Sequence, residues 1–119
     1  MLWSDGRRAE HAGVEELTSA REILLVTDET ERIVGVSQAW VALCGYAPAE
    51  CWGRTPRELL HGPNTDRQAA RDFAACTRNG LGRVSVVNYT KGGLPFRNHL
   101  RGTRHGDLLV AQTLSAEFI

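Results

Sequence analysis

This chain has no surplus charge of either sign: 14 Lys and Arg residues stand against 14 Asp and Glu. A protein that grips nucleic acid or an acidic membrane through its charge gathers a basic excess on one face. The balanced total and four scattered histidines supply no such excess, so neither partner is expected. The sequence also lacks an apolar run long enough to cross a bilayer, and its opening, MLWSDGRRAE, holds no hydrophobic segment of signal-peptide type. A cytoplasmic location is the expectation. Cysteine is scarce and badly spaced for chemistry. Cys44, Cys51 and Cys76 are odd in number, form no CxxC and have no histidine at ligand spacing, which argues against a disulfide framework and a zinc site. No serine or cysteine sits in an elbow motif or beside a matched base, so an enzyme is not expected. Repeats and low-complexity segments are absent, and 119 residues suffice for one domain with its own core.

What is present reads as an extension followed by a domain. Residues 1–21 contain GVEELTSAREI, a weakly amphipathic segment whose apolar points are Val14, Leu17 and either Leu2 or Trp3. A helical, dimerising N-terminal extension is expected there, with the domain over 22–119. REILLVTD reads as a strand, an acidic turn leads to a second strand over Ile33 to Val36, and Ser37 is placed to cap a helix through SQAWVALCGY. A short helical turn follows, then a helix begun by Pro56, a Gly62-Pro63 break, and a longer helix from Asp66 to about Asn79 stopped by Gly80. Three longer strands complete the chain. Five strands split two and three by helices predict an α+β fold, a five-stranded antiparallel sheet with helices on one face.

The last three strands carry the chemistry. Period two groups Val84, Val86 and Asn88, then Phe96, Asn98 and Leu100, then Leu108, Val110, Gln112 and Leu114. The turn signals Lys91-Gly92-Gly93 and Arg104-His105-Gly106-Asp107 make both connections hairpins, and counting back from their tips sets Asn88 opposite Asn98 and Asn98 within a residue of Gln112. Arg97, His99 and Arg101 fall on the opposite, solvated face. A buried amide without partners costs roughly 1 to 3 kcal/mol. Three together must bond one another, ordered water, or a ligand edge that alternates donors and acceptors, as a planar heteroaromatic ring does. The alternatives are that Asn88 serves its turn, Asn98 pairs with it across the strands, and buried water satisfies Gln112. Outward, Ser85, Val87 and Tyr89 beside Leu109 and Ala111 form an apolar strip that an N-terminal helix of the same or a partner subunit would cover.

The order WVALCGYAPAECWGRTPRELLHGPNTD, then NYTKGGLPFRNHL, then AQT resembles the PAS domain family and, within it, the flavin-binding LOV branch, from about Ile23 to Thr113. The resemblance implies a PAS-like sensory domain holding FMN. Asn88, Asn98 and Gln112 match the amides that hold the ring's polar edge, and Arg71 matches the helix arginine on the ribityl phosphate. The match fails where the branch places its adduct-forming cysteine. There the chain reads Gly53-Arg54-Thr55-Pro56-Arg57-Glu58-Leu59-Leu60-His61, so that Thr55 replaces an asparagine, Pro56 or Arg57 the cysteine, and Leu60 or His61 a glutamine. Thr55 and His61 complete the candidate cofactor contacts, and adduct photochemistry is expected to be absent. Gln112 is expected to be the amide that reorients when the ring's protonation changes. Haem-binding members of this fold use a helix histidine; the helix over 66–79 has none, and His61 precedes a Gly-Pro break, which argues against haem and against metal.

Two functions follow. The first is a sensor with FMN or another planar ligand between helices and sheet. The second is a cofactor-free interaction module whose pocket is filled by Glu58, Leu60 and His61. Either would act through a homodimer or a signalling partner.

Overall fold

The computed structural model describes residues 1–4 and 21–119. The strands are β1 (Leu2–Trp3), β2 (Ile23–Thr27), β3 (Ile33–Val36), β4 (Leu81–Tyr89), β5 (Pro95–His105) and β6 (Leu108–Phe118). The helices are α1 (Gln38–Cys44), α2 (Pro48–Cys51), α3 (Pro56–Leu60) and α4 (Arg67–Arg78). The strands form one antiparallel sheet in the order β1-β3-β2-β6-β5-β4. The sheet therefore has six strands, one more than expected, because Leu2 and Trp3 pair with Val36 and Gly35 at the β3 edge. Those two residues are not apolar points of a helix. The rest of the expected helical extension, residues 5–20, lies outside the described residues.

Local chemistry sets each helix where the sequence indicated. Ser37 Oγ accepts from Trp40 N at 3.2 Å, capping α1, and also from Leu24 N at 2.9 Å, fixing that helix to β2. Thr55 and Glu58 form a capping box ahead of Pro56, and Asp66 Oδ1 accepts from Ala69 N at 3.0 Å to open α4. Helix α4 then lies across β4 and β5. Its seat is made by Gly82 and Gly102, which face each other across those strands. A Cβ on Gly82 would meet the Phe73 carbonyl at 2.9 Å, and one on Gly102 would collide with Thr77, so only glycine admits the helix this close.

Both faces of the sheet's β1-β3-β2-β6 side are buried. Leu25, Ile33, Val36, Trp40, Cys44, Cys51, Leu59, Leu60 and Phe96 form the core between sheet and helices. Leu24, Val26, Val34, Leu108 and Val110 form a second cluster on the outer face, with Met1 and Trp3 packed against it. This corrects the face assigned to β6. Leu109 and Ala111 turn toward the helices, not outward, while Leu108 and Val110 turn away. Period two could not choose between faces where Leu108, Leu109 and Val110 are all buried.

Candidate functional site

Between the helices and the inner sheet face lies a cavity of about 280 Å³. Its floor includes Val86, Asn88, Asn98, Leu100, Ala111 and Thr113, its roof Pro56, Leu60, Phe73 and Ala74, and its mouth Arg57, Arg67 and Arg71. Thr55 and His61 also line it, so five of the six expected site residues converge.

Gln112 does not join them. It pairs with Arg101 on β5 and Leu24 on β2, and Leu24 belongs to the outer cluster. Cross-strand partners share a face, so Gln112 points away from the cavity and Thr113, opposite Leu100, takes the inward position. The β5–β6 register explains why. Asn98 pairs with Ala116, four residues beyond Gln112, and Leu114 is an extra residue between the His99–Ser115 and Leu100–Thr113 pairs. The β4–β5 register also differs from the expected one by two residues: Asn88 stands opposite Phe96 and Asn98 opposite Val86.

The two asparagines nevertheless meet on the diagonal. Asn98 Nδ2 donates to Asn88 Oδ1 at 2.9 Å, and both residues are 3% exposed. Asn88 Nδ2 reaches only the Leu60 and Val87 carbonyls, each at 3.4 Å. Asn98 Oδ1 is buried and has no partner. Such an acceptor costs about 1 to 3 kcal/mol unless something supplies a hydrogen.

His61 carries the other orphaned atom. Its Nδ1 is buried and unpartnered, and burial, then Arg67, then Arg57 hold its pKa below the ordinary imidazole value. The backbone beneath it is tied down: Tyr46 OH donates to Leu59 O at 2.8 Å, Gly62 N to Thr65 Oγ1 at 3.0 Å, and Thr65 Oγ1 to Val87 O at 2.6 Å. Among the described residues no carboxylate pairs with Arg57, Arg67 or Arg71; Arg71 donates instead to Gln68 Oε1, at 2.8 Å. Glu31 also lines the cavity, but Arg78 holds it at 3.3 Å. The mouth is therefore cationic.

No thiol faces this space. Cys44 and Cys51 are buried in the core, where loss of hydration pushes their pKa values up to about 12 and about 11, and Cys76 is exposed on α4. Pro56 and Arg57, which the resemblance sets at the branch's cysteine position, both line the cavity. Glu58 does not fill it; its carboxylate accepts from Thr55 N and Arg54 Nε at the exposed end of α3. Trp40, a member of the core cluster, and Phe73 on α4 line the cavity as well, a role their apolar spacing alone could not reveal. On the outer face, Ser85 Oγ lies 2.6 Å from His99 Nδ1 and His99 Nε2 lies 2.6 Å from Glu117 Oε1, a contact across β4, β5 and β6 that period two did not disclose.

Comparison with known proteins places this geometry. The family profile described as PAS fold matches residues 12–90. Phototropin-2 of Oryza sativa subsp. japonica is 35% identical over 95 residues, 75% of this chain and 10% of that protein. Blue-light-activated histidine kinase 1 of Erythrobacter litoralis is 38% identical over 71 residues, 56% of this chain and 18% of that protein. The chain thus spans a small part of either relative. A Light-Oxygen-Voltage domain structure from work with a flavin analogue superposes with a TM-score of 0.73 at 28% identity, covering 91% of this chain and 84% of the other. The light-state structure of the Aureochrome1 LOV domain superposes at 0.68 with 26% identity, covering 89% and 88%. With LOV domains as its structural neighbours and the profile matched over most of its length, the chain belongs to the PAS fold family.

Proposed function

We propose that this domain is a LOV-like sensory module that holds FMN in the cavity and signals without forming a thiol adduct. The unpartnered Oδ1 of Asn98 carries the reading. It needs a hydrogen-bond donor inside a largely apolar slot, which the N–H on the polar edge of an isoalloxazine ring provides. Asn88 and Asn98 would hold that edge, and Arg57, Arg67 and Arg71 suit the phosphate at the mouth. Bound there, the flavin supplies blue-light absorption and reversible reduction. The chain supplies orientation through the amide pair, exclusion of water by Leu60, Phe73 and Val86, and charge balance through the arginines. Since Gln112 faces away, the switching group expected there is replaced by Thr113, whose hydroxyl can rotate between donating and accepting.

The second reading, a cofactor-free interaction module, has one observation in its favour: 280 Å³ is small beside the ~300 to 1,000 Å³ of ordinary ligand pockets. In both readings the output would leave through a homodimer or a signalling partner. The deciding experiment is the visible spectrum of the purified protein, repeated after heat release and after incubation with FMN. A structured blue band that bleaches on illumination in the presence of an added electron donor such as EDTA, with no loss of titratable thiol, is expected. A featureless spectrum unchanged by FMN would overturn the flavin assignment and leave the interaction module.

A further inference from the structure

The cavity mouth holds more positive charge than a neutral ring needs, and one member of the cluster can change its charge. His61 follows α3 directly, four residues after Arg57, with Arg67 and Arg71 one turn apart on α4. The imidazole presents a buried, unpartnered Nδ1 on a backbone anchored through Leu59, Leu60 and Gly62. The surrounding acids are committed elsewhere: Glu31 to Arg78, Glu58 to Arg54 and Thr55, and Asp66 to the α4 N-terminus. From β4 and β5 the cavity receives the uncharged Asn88 and Asn98, and Tyr89 OH accepts from Asn64 N.

We infer that His61 is a specificity-determining residue that makes the site choose anionic ligands: a phosphate-bearing ligand binds with uptake of a proton by His61, and its phosphate-free counterpart does not. The inference rests on the flavin reading for the ligand's identity. Its physical basis is the field at the mouth. Without ligand, burial and then the Arg67 and Arg57 guanidinium groups oppose a third cation and make the ring harder to protonate than an ordinary imidazole. An anion between Arg57 and Arg67 cancels that opposition and gives Nδ1–H an acceptor. By linkage, whatever favours the protonated ring when ligand is bound must raise ligand affinity as pH falls. A glutamine at this position would offer hydrogen bonds without that dependence.

The test compares FMN with riboflavin on the whole chain by titration calorimetry between pH 8 and pH 5, in two buffers of different ionisation enthalpy. The FMN-to-riboflavin affinity ratio should rise by about tenfold across that range, a size common for coupling between two binding events. His61→Gln should flatten the rise to whatever the phosphate's own titration leaves. Equal proton uptake by the native chain and His61→Gln with FMN would overturn the inference while leaving the flavin reading intact. If neither flavin binds, that reading falls, and the His61 ring is titrated by NMR in inorganic phosphate against chloride at equal ionic strength. A higher midpoint in phosphate upholds the anion linkage, and identical midpoints sink it.

Discussion

Asn98 gives its amide hydrogen to Asn88 at 2.9 Å and keeps its own carbonyl oxygen buried and unpartnered. The pair is thus a half-finished network, complete between the asparagines on one side and left with an unmet acceptor beside the cavity lining on the other. Asn98→Leu removes both functions. FMN affinity should fall at least about tenfold, or about 1.4 kcal/mol, in a fluorescence-quenching titration. Unchanged affinity would mean that the orphaned oxygen is not a ligand contact.

Facing decides the second expectation. Gln112→Leu should leave FMN affinity and the fine structure of the blue band unaltered, because Gln112 shares a face with Arg101 and Leu24. Thr113→Val should shift the band or slow its recovery after illumination, because Thr113 lines the cavity. The opposite pattern in the two spectra would restore Gln112 as the switching residue.

Much of this was legible in the sequence where a single local signal controlled the outcome. Ser37, Pro56, Asp66 and Gly80 mark helix ends by capping chemistry, which does not depend on distant residues. The convergence of Arg71, Thr55 and His61 followed from the family resemblance. Register did not follow, because it depends on loop geometry and on one inserted residue. The loop between Tyr89 and Pro95 closes through Thr90 N donating to Leu94 O at 3.0 Å, two residues out of step with a count from its glycines. The strand at Trp3 left no signal, because a pairing of two residues is too short to show a period.

The thiols give a pH dependence of known sign. Cys44 and Cys51 hold their protons more tightly in the folded chain, at about 12 and about 11, than at the ordinary 9.0. Their contribution is fully present below pH 9 and is lost as pH rises toward 11 and 12. The thermal midpoint should therefore drop between pH 9 and 11. Cys44→Ala with Cys51→Ala should start lower and lose less over that interval. In the native chain one thiol, Cys76, should react rapidly with a disulfide reagent, and all three in urea; two rapid thiols at neutral pH would contradict the core placement.

The N-terminal tetrapeptide offers a mechanical test. A Cβ at Gly35 would come within 2.6 Å of the Trp3 ring. Gly35→Ala should displace Trp3 from the outer cluster, lower unfolding free energy by about 1 to 3 kcal/mol, and red-shift tryptophan emission. An unchanged urea midpoint and emission maximum would show that Trp3 is not held there.

Strand β6 counts its residues in two phases, one before Leu114 and one after. The earlier phase aims Ala111 and Thr113 at the cavity; the later one aims Ala116 toward Asn98 and Phe118 toward Phe96, whose ring centroid lies 5.5 Å from its own. Leu114 is thereby an expansion joint. Small travel in the cavity half can be absorbed at one solvent-facing residue without unzipping either half, or, if the joint is locked, passed intact to the C-terminal end of the strand. The residue at that joint is a single leucine, 47% exposed and outside the cavity lining.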